Sequence, residues 1–200
     1  MQETQMFVYE MCKGLKLLAE GVSTLGWWID PETGHKWENA TYIDEVPGRY
    51  GSDGLKSASI YTYELRHEYS LELGCPGRDW HDVLAEMVGF DRDNQDAYPA
   101  DGPFIELLHY DYSMETFGPS AARKIVADFD AWNDRASKAM VKVEIYKKDA
   151  DAPDFLHYKP SKLVGVKHFN DHAFYLTYWW LRSCFANATE NGVVRCYYKL

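Results

Sequence analysis

Cysteine is scarce in this chain and badly spaced for chemistry. The four are Cys12, Cys75, Cys184 and Cys196, and no pair reads C-x-x-C. That excludes the usual zinc and redox dithiol motifs and is too sparse for the disulfide frame of a small secreted domain. Reduced, mostly buried thiols in a cytoplasmic protein are the expectation. Long apolar runs are missing too: none approaches the ~20 residues that cross a bilayer. The start, MQETQMFVYEMCKG, has no basic segment leading into an apolar one, so neither a secretion signal nor a membrane partner is expected. There is no glycine-rich phosphate loop and no G-x-S-x-G elbow. Clustered positive charge is also thin. The net charge is −10, carried by residues 1–100, while residues 101–200 balance. The one lysine group, Lys142, Lys147, Lys148, Lys159, Lys162 and Lys167, is diluted by Glu144, Asp149, Asp151 and Asp154. A phosphate backbone needs concentrated cations, so no direct contact with nucleic acid is expected.

What the chain does have is rings. Aromatics make up 16% of its 200 residues, with fifteen Tyr and seven Trp. A chain of this length buries roughly 70% of its unfolded surface without disulfide or metal. One domain over residues 1–200 is expected, a hairpin region of about 22–48 packed on a helical body of 57–192.

Several elements are legible. MFVYEMCKGLKLLAEG reads as a short helix ending at Gly21. WWIDPETGHKW, with Pro and Gly at turn positions, reads as a β-hairpin, and ATYIDEV as a further short strand. SIYTYELRHEYSLELG reads as a helix from Ser59 to Gly74. DWHDVLAEMVG reads as a compact helix with Trp80, Val83, Leu84 and Met87 on one face and Gly89 as its stop. After Pro119 the apolar positions Ala122, Ile125, Phe129, Trp132, Ala136, Ala139, Val143 and Tyr146 alternate by three and four, predicting one rod of about thirty residues. Its partner is the helix in HFNDHAFYLTYWWLRSCFANATENG, with Phe169, Ala173, Leu176, Trp180 and Cys184 inward. VVRCYYK closes as a strand. The fold class expected is α+β and predominantly helical: a long antiparallel helix pair, shorter helices and a small antiparallel sheet.

Two Glu-x-x-His pairs, Glu64–His67 and Glu106–His109, have the spacing used in di-iron bundles. The second lies between Gly-Pro breaks, and no two further glutamates stand on the helical seams. His168 and His172 have zinc spacing without the glutamate of H-E-x-x-H. The acidic loop DRDNQDAYPADG lacks the glycine and the final glutamate of a calcium loop. No metal and no cofactor is expected.

The stretch GPFIELLHYDYSMETFGPSAARKIVADF gathers the candidate site. Glu106 and Glu115 are carboxylates among rings, and a buried carboxylate beside rings has a raised pKa suited to acid–base work. His109, Asp111 and Tyr112 lie between them, and Arg123 and Lys124 follow at the head of the long helix. The ordinary alternative is that these carboxylates stabilise that helix's dipole.

This stretch resembles a pattern of uncharacterised bacterial and phage-associated proteins: Pro-Phe-x-Glu-Leu, an acidic segment, Gly-Pro, then Ala-x-Lys-Leu-Ala-x-Asp-Phe. Pro103, Phe104, Glu106, Leu107, Glu115, Gly118, Pro119, Lys124, Asp128 and Phe129 match it. Upstream, Arg66 and Gly74 match a Trp-Arg-Glu…Gly helix, from which the chain departs at Leu65 and His67. WWLRSCFANATENGVVRCYY is similar to the family's closing helix and strand. The resemblance carries no activity, but it implies that Glu106, Glu115 and Arg66 share a site. The first functional expectation is an acidic, aromatic-rich module that binds a protein, a basic one by charge, as a phage accessory, inhibitor or immunity-like protein. The alternative is an enzyme on a small polar substrate, with Glu106 or Glu115 as acid/base and Arg66 or Arg123 clamping an anion.

Overall fold

In a computed structural model of the chain, residues 6–21, 32–34, 40–43, 55–56, 58–74, 80–108, 115–148, 161–190 and 192–199 are described. The element order is β1 (Met6–Glu20), β2 (Ala40–Ile43), β3 (Ser59–Gly74), α1 (Trp80–Val88), a 3-10 turn (Arg92–Ala97), α2 (Ile105–Leu108), β4 (Glu115–Phe117), α3 (Pro119–Ala136), β5 (Met140–Lys148), β6 (Ser161–Asn170), α4 (His172–Ala188) and β7 (Gly192–Lys199). Strands hold about 33% of the chain, which overturns the expectation of a predominantly helical protein organised by a long helix pair. The molecule is α+β, built on a five-stranded antiparallel sheet in the order β2-β3-β1-β7-β4, with β5 and β6 forming a separate two-stranded ribbon.

The two segments read as helices, 6–20 and 59–74, are instead the long central strands. Their misreading has a physical cause. A strand with one wet face shows alternation; the first part of β1, residues 8–12, is covered on both. Tyr9 and Met11 face the helices, while Val8 and Cys12, also buried, face the other way. The pairing of β1 with β3 is irregular as well. Glu10 opposes Ser70, but Cys12 already opposes Leu65, so a bulge occupies Arg66–Tyr69. Bulges of this kind bend a strand and raise its twist.

The thirty-residue rod ends at Ala136. Ser137 donates its N–H to Asn133, and Met140 begins β5. The seam positions Ala139, Val143 and Tyr146 therefore leave the helix. In their place Val141, Val143 and Ile145 alternate along a strand, where β-branched side chains are at home. The remaining 18-residue helix does pack against α4. Arg123 donates to the Thr189 carbonyl near one end and Tyr175 to Asn133 Oδ1 near the other, so the two run antiparallel. The inward face of α4 also differs from the one expected. Cys184 is buried as expected, but its companions are Phe174, Tyr178, Leu181, Phe185 and Ala188, whereas Ala173 is exposed and Leu176 is 71% exposed. Asp171 fixes the start of α4 by accepting from the Phe174 N–H, placing His168 and Phe169 in β6 instead.

The core lies between α1, α3, α4 and one face of the sheet. Its centre is a set of rings: Phe129 meets Tyr178 edge-on at 4.6 Å, Phe104 at 5.0 Å, and Phe117 meets Phe185 at 5.6 Å. Such pairs each contribute about 0.5–1.5 kcal/mol beyond their burial. Short α1 follows its sequence signals closely, with Trp80, Val83 and Leu84 buried and Gly89 at φ 75 ending it. Strand β7 forms as expected and pairs with β1 and β4. Most of the 22–48 hairpin lies outside the described residues. Of the elements expected there, β2 is described, pairing with the start of β3.

Candidate functional site

Glu106 sits on α2, a single helical turn, and is itself buried at 7% exposure. What holds it there is Lys124 of α3. The Lys124 ammonium donates to Glu106 Oε2 at 2.8 Å, to Asp128 Oδ2 at 2.8 Å and to the Gly102 carbonyl at 2.9 Å. Asp128 Oδ2 also accepts the Phe104 N–H at 2.8 Å. The cluster thus ties residues 102–106 to one flank of α3. Burial pushes the Glu106 carboxyl above its ordinary range, and Lys124 pulls against that.

Backbone geometry around the cluster is demanding. Phe104 is fully buried with φ at 57, a left-handed conformation that costs a non-glycine residue of order 1 kcal/mol or more. Its ring is wedged against Phe129 and Tyr178, and its N–H is held by Asp128. Gly102 has no room for a side chain: a Cβ there would run into the Tyr98 ring and meet the Pro99 carbonyl at 2.9 Å. Tyr98 completes the turn by donating to the Pro103 carbonyl at 3.0 Å, and burial pushes its phenol up to about 12.

Two of the other expected site residues, Arg66 and Arg123, are directed elsewhere. Arg66 is exposed on β3, and among the described residues no hydrogen bond or ion pair joins it to Glu106. Arg123 is exposed on α3 and is directed to the Thr189 carbonyl and Ser120 Oγ. The backbone of Glu115 pairs with Cys196 as part of β4. His109, Asp111 and Tyr112 lie outside the described residues. Glu106 and Lys124 of the expected set touch, and Asp128 is the member that the sequence reading left out of the site. Among the described residues no group of three or more His, Cys, Asp or Glu is arranged to hold a metal ion.

A second polar cluster was not anticipated. Arg195, 8% exposed, lies on the sheet face away from the helices. Its guanidinium donates to Glu10 Oε2 at 3.5 Å and to the Tyr63 hydroxyl, and it lies 5.0 Å and 5.4 Å from the centres of the Tyr63 and Tyr197 rings. Tyr197 donates to Glu10 Oε1 at 2.8 Å. Two rings, a carboxylate and a guanidinium thus meet within a partly buried layer. Burial raises both phenols, Tyr63 to about 12. Cys12 lies in the same layer, its thiol pushed up to about 12 by burial although Arg195 opposes the shift. Groups held in their neutral forms are poor nucleophiles near pH 7. The signal was present in the sequence: a charged residue in the middle of an apolar strand, as in FVYEMC and VVRCYY, demands a buried partner.

The third feature is the outer face of α4. Leu176 at 71% and Trp179 at 44% are among the most exposed large apolar side chains. Arg182 lies 5.5 Å from the Trp179 ring centre and grips the Asp130 carboxylate of α3 at 2.7 and 3.0 Å. Asp134, also on α3, is exposed. No described helix is long and apolar enough to cross a membrane. No family model, curated protein or solved structure matches the chain.

Proposed function

We propose that this protein is a binding module that engages a basic protein partner through the outer face of α4 and the adjoining flank of α3. The carrying observation is that α4 is apolar on two faces. Phe174, Tyr178, Leu181 and Phe185 fill the core, while Leu176 and Trp179 stand in water on the other side. Exposed tryptophan and leucine have the make-up of an anchor, and exposed Asp134 on α3 offers a carboxylate that attracts a basic partner. Arg182 supports the reading in a second way. Pinned by Asp130 beneath Trp179, it orders the surface before any partner arrives and so lowers the entropy cost of docking. The Glu106 cluster, in which each charge meets another, serves as a clamp within the fold.

The test places a photo-reactive side chain at Leu176, and separately at Leu18, which is also exposed at 40% on β1. A basic protein captured from position 176 and not from 18 is the expected result. Titrated as a purified protein, it should bind Trp179→Ala at least about tenfold more weakly, within the range of a single anchor residue. Equal capture from both positions, or affinity indifferent to Trp179, sinks the proposal.

A further inference from the structure

Strand β1 outruns its neighbour β7. Their ladder covers Met6 to Lys13 and stops there, because β7 begins at Gly192, opposite Lys13. β1 continues to Glu20, paired along that stretch with β3. Among the described residues, the other edge of residues 14–20 has no strand beside it. The side chains along it are accessible: Lys16 and Glu20 are exposed, as are Leu17 at 42% and Leu18 at 40%. A row of main-chain N–H and C=O groups at an open edge is a template for a further strand, and apolar side chains beside it add to the attraction. Leu18 is also the extra residue of a bulge, since Leu17 opposes Tyr61 and Ala19 opposes Ile60.

The segment is complementary to itself. Laid antiparallel with Leu18 opposite Leu18, it brings Lys16 against Glu20, Leu17 against Ala19 and Leu15 against Gly21. Lys16, which on a lone edge repels an incoming strand, there meets opposite charge. Glu20 also binds Lys56 of its own chain, and a carboxylate has acceptor sites for both cations. The length fits as well. Gly21, at φ 68, ends the strand. In this register it lies opposite Leu15, two residues short of the Lys13–Gly192 pair, so the incoming strand stops before it reaches β7. We propose that two copies of this chain join edge to edge through residues 15–21 of β1. Each cross-strand pair is then made twice about a two-fold axis, and the contact closes on itself.

The experiment is the mass of the full chain in solution, by sedimentation and light scattering across a concentration series, with amide hydrogen exchange read alongside. A dimer is expected, with the amides of residues 15–20 exchanging more slowly as concentration rises. Leu18→Lys sets two cations together on the axis and should weaken the dimer at least about tenfold. Lys16→Glu and Glu20→Lys each put like charges opposite and should each weaken it several-fold; together they exchange the charges and should restore it. All three side chains are exposed, so the variants should fold, which circular dichroism checks. Where one does not, the exchange of the parent chain decides. A photo-reactive side chain at Leu18 should join two copies of this chain of net charge −10, an outcome distinct from capture of a basic protein at Leu176. A monomer at every concentration, a dimer indifferent to Leu18→Lys, or a different protein captured at Leu18 in place of a second copy overturns the proposal.

Discussion

Lys124 and Glu106 meet at 2.8 Å across a junction between α3 and α2, and the same ammonium reaches Asp128. One cation therefore serves two carboxylates whose side chains are only 9% and 17% exposed. Removing it strands both. Lys124→Met is expected to destabilise the protein by about 3 kcal/mol, the cost of breaking a buried ion pair from one side. Urea unfolding measures it, and a loss below about 1 kcal/mol would place the cluster among ordinary surface pairs.

Glu106→Gln should behave differently, with pH deciding the sign. Burial outweighs Lys124 in setting the Glu106 carboxyl, so its folded value lies above the ordinary one. A raised acid favours folding fully below its unfolded value and loses that contribution as pH rises through the folded value. At pH 7 the charged form is the one that burial penalises. The amide variant should then melt at or a few degrees above the parent, a shift of the size that small free-energy changes produce. The gap should close by about pH 4, near the ordinary glutamate value. Melting curves at several pH values check this; a variant less stable at pH 7 and equal at pH 4 would mean that the ion pair outweighs the burial.

Gly102→Ala tests the tight turn. The added methyl meets the Tyr98 ring and the Pro99 carbonyl well inside contact distance. The expected loss is about 1–3 kcal/mol, as for overpacking elsewhere. Tyr98→Leu in the same chain removes the nearer obstacle and should recover part of it, so that the two losses measured by urea unfolding are not additive.

Thiol chemistry offers a fourth check. Burial pushes Cys12 up to about 12 and moves Cys184 upward as well. Neither supplies much thiolate at pH 8. Iodoacetamide should leave both unlabelled in the native protein and label both in urea, read by peptide mass spectrometry. Rapid native labelling of Cys12 would show that the sheet face bearing Arg195 opens to solvent.

How far the sequence could be read depended on local punctuation. Pro119 opens α3, Gly89 ends α1, and VVRCYYK forms β7; in each case a terminator or a β-branched run lies in the element or next to it. The central strands carried no such mark. Burial of Tyr9 and Met11 on one face and Val8 and Cys12 on the other erased the alternation of β1. The bulge in the β1–β3 pairing did the same for β3. The seam continuing through Val143 hid the alternation of β5, because three-four spacing and every-second-residue spacing share some positions. In the site, Glu106 and Lys124 were legible as charged residues in an apolar setting. Their pairing was not, since eighteen residues separate them and the left-handed turn at Phe104 joins them in space. The Arg195 cluster draws on β1, β3 and β7, which no local window spans.

The strand order has a consequence for synthesis. β1 is translated before every other element and β7 after all of them, yet they lie side by side in the middle of the sheet. A chain still attached to the ribosome holds β1 with one edge waiting for a neighbour that does not yet exist. The sheet can be completed only once β7 has emerged, so the nascent protein passes through a stage with an unprotected central edge, the period in which such chains most need a chaperone.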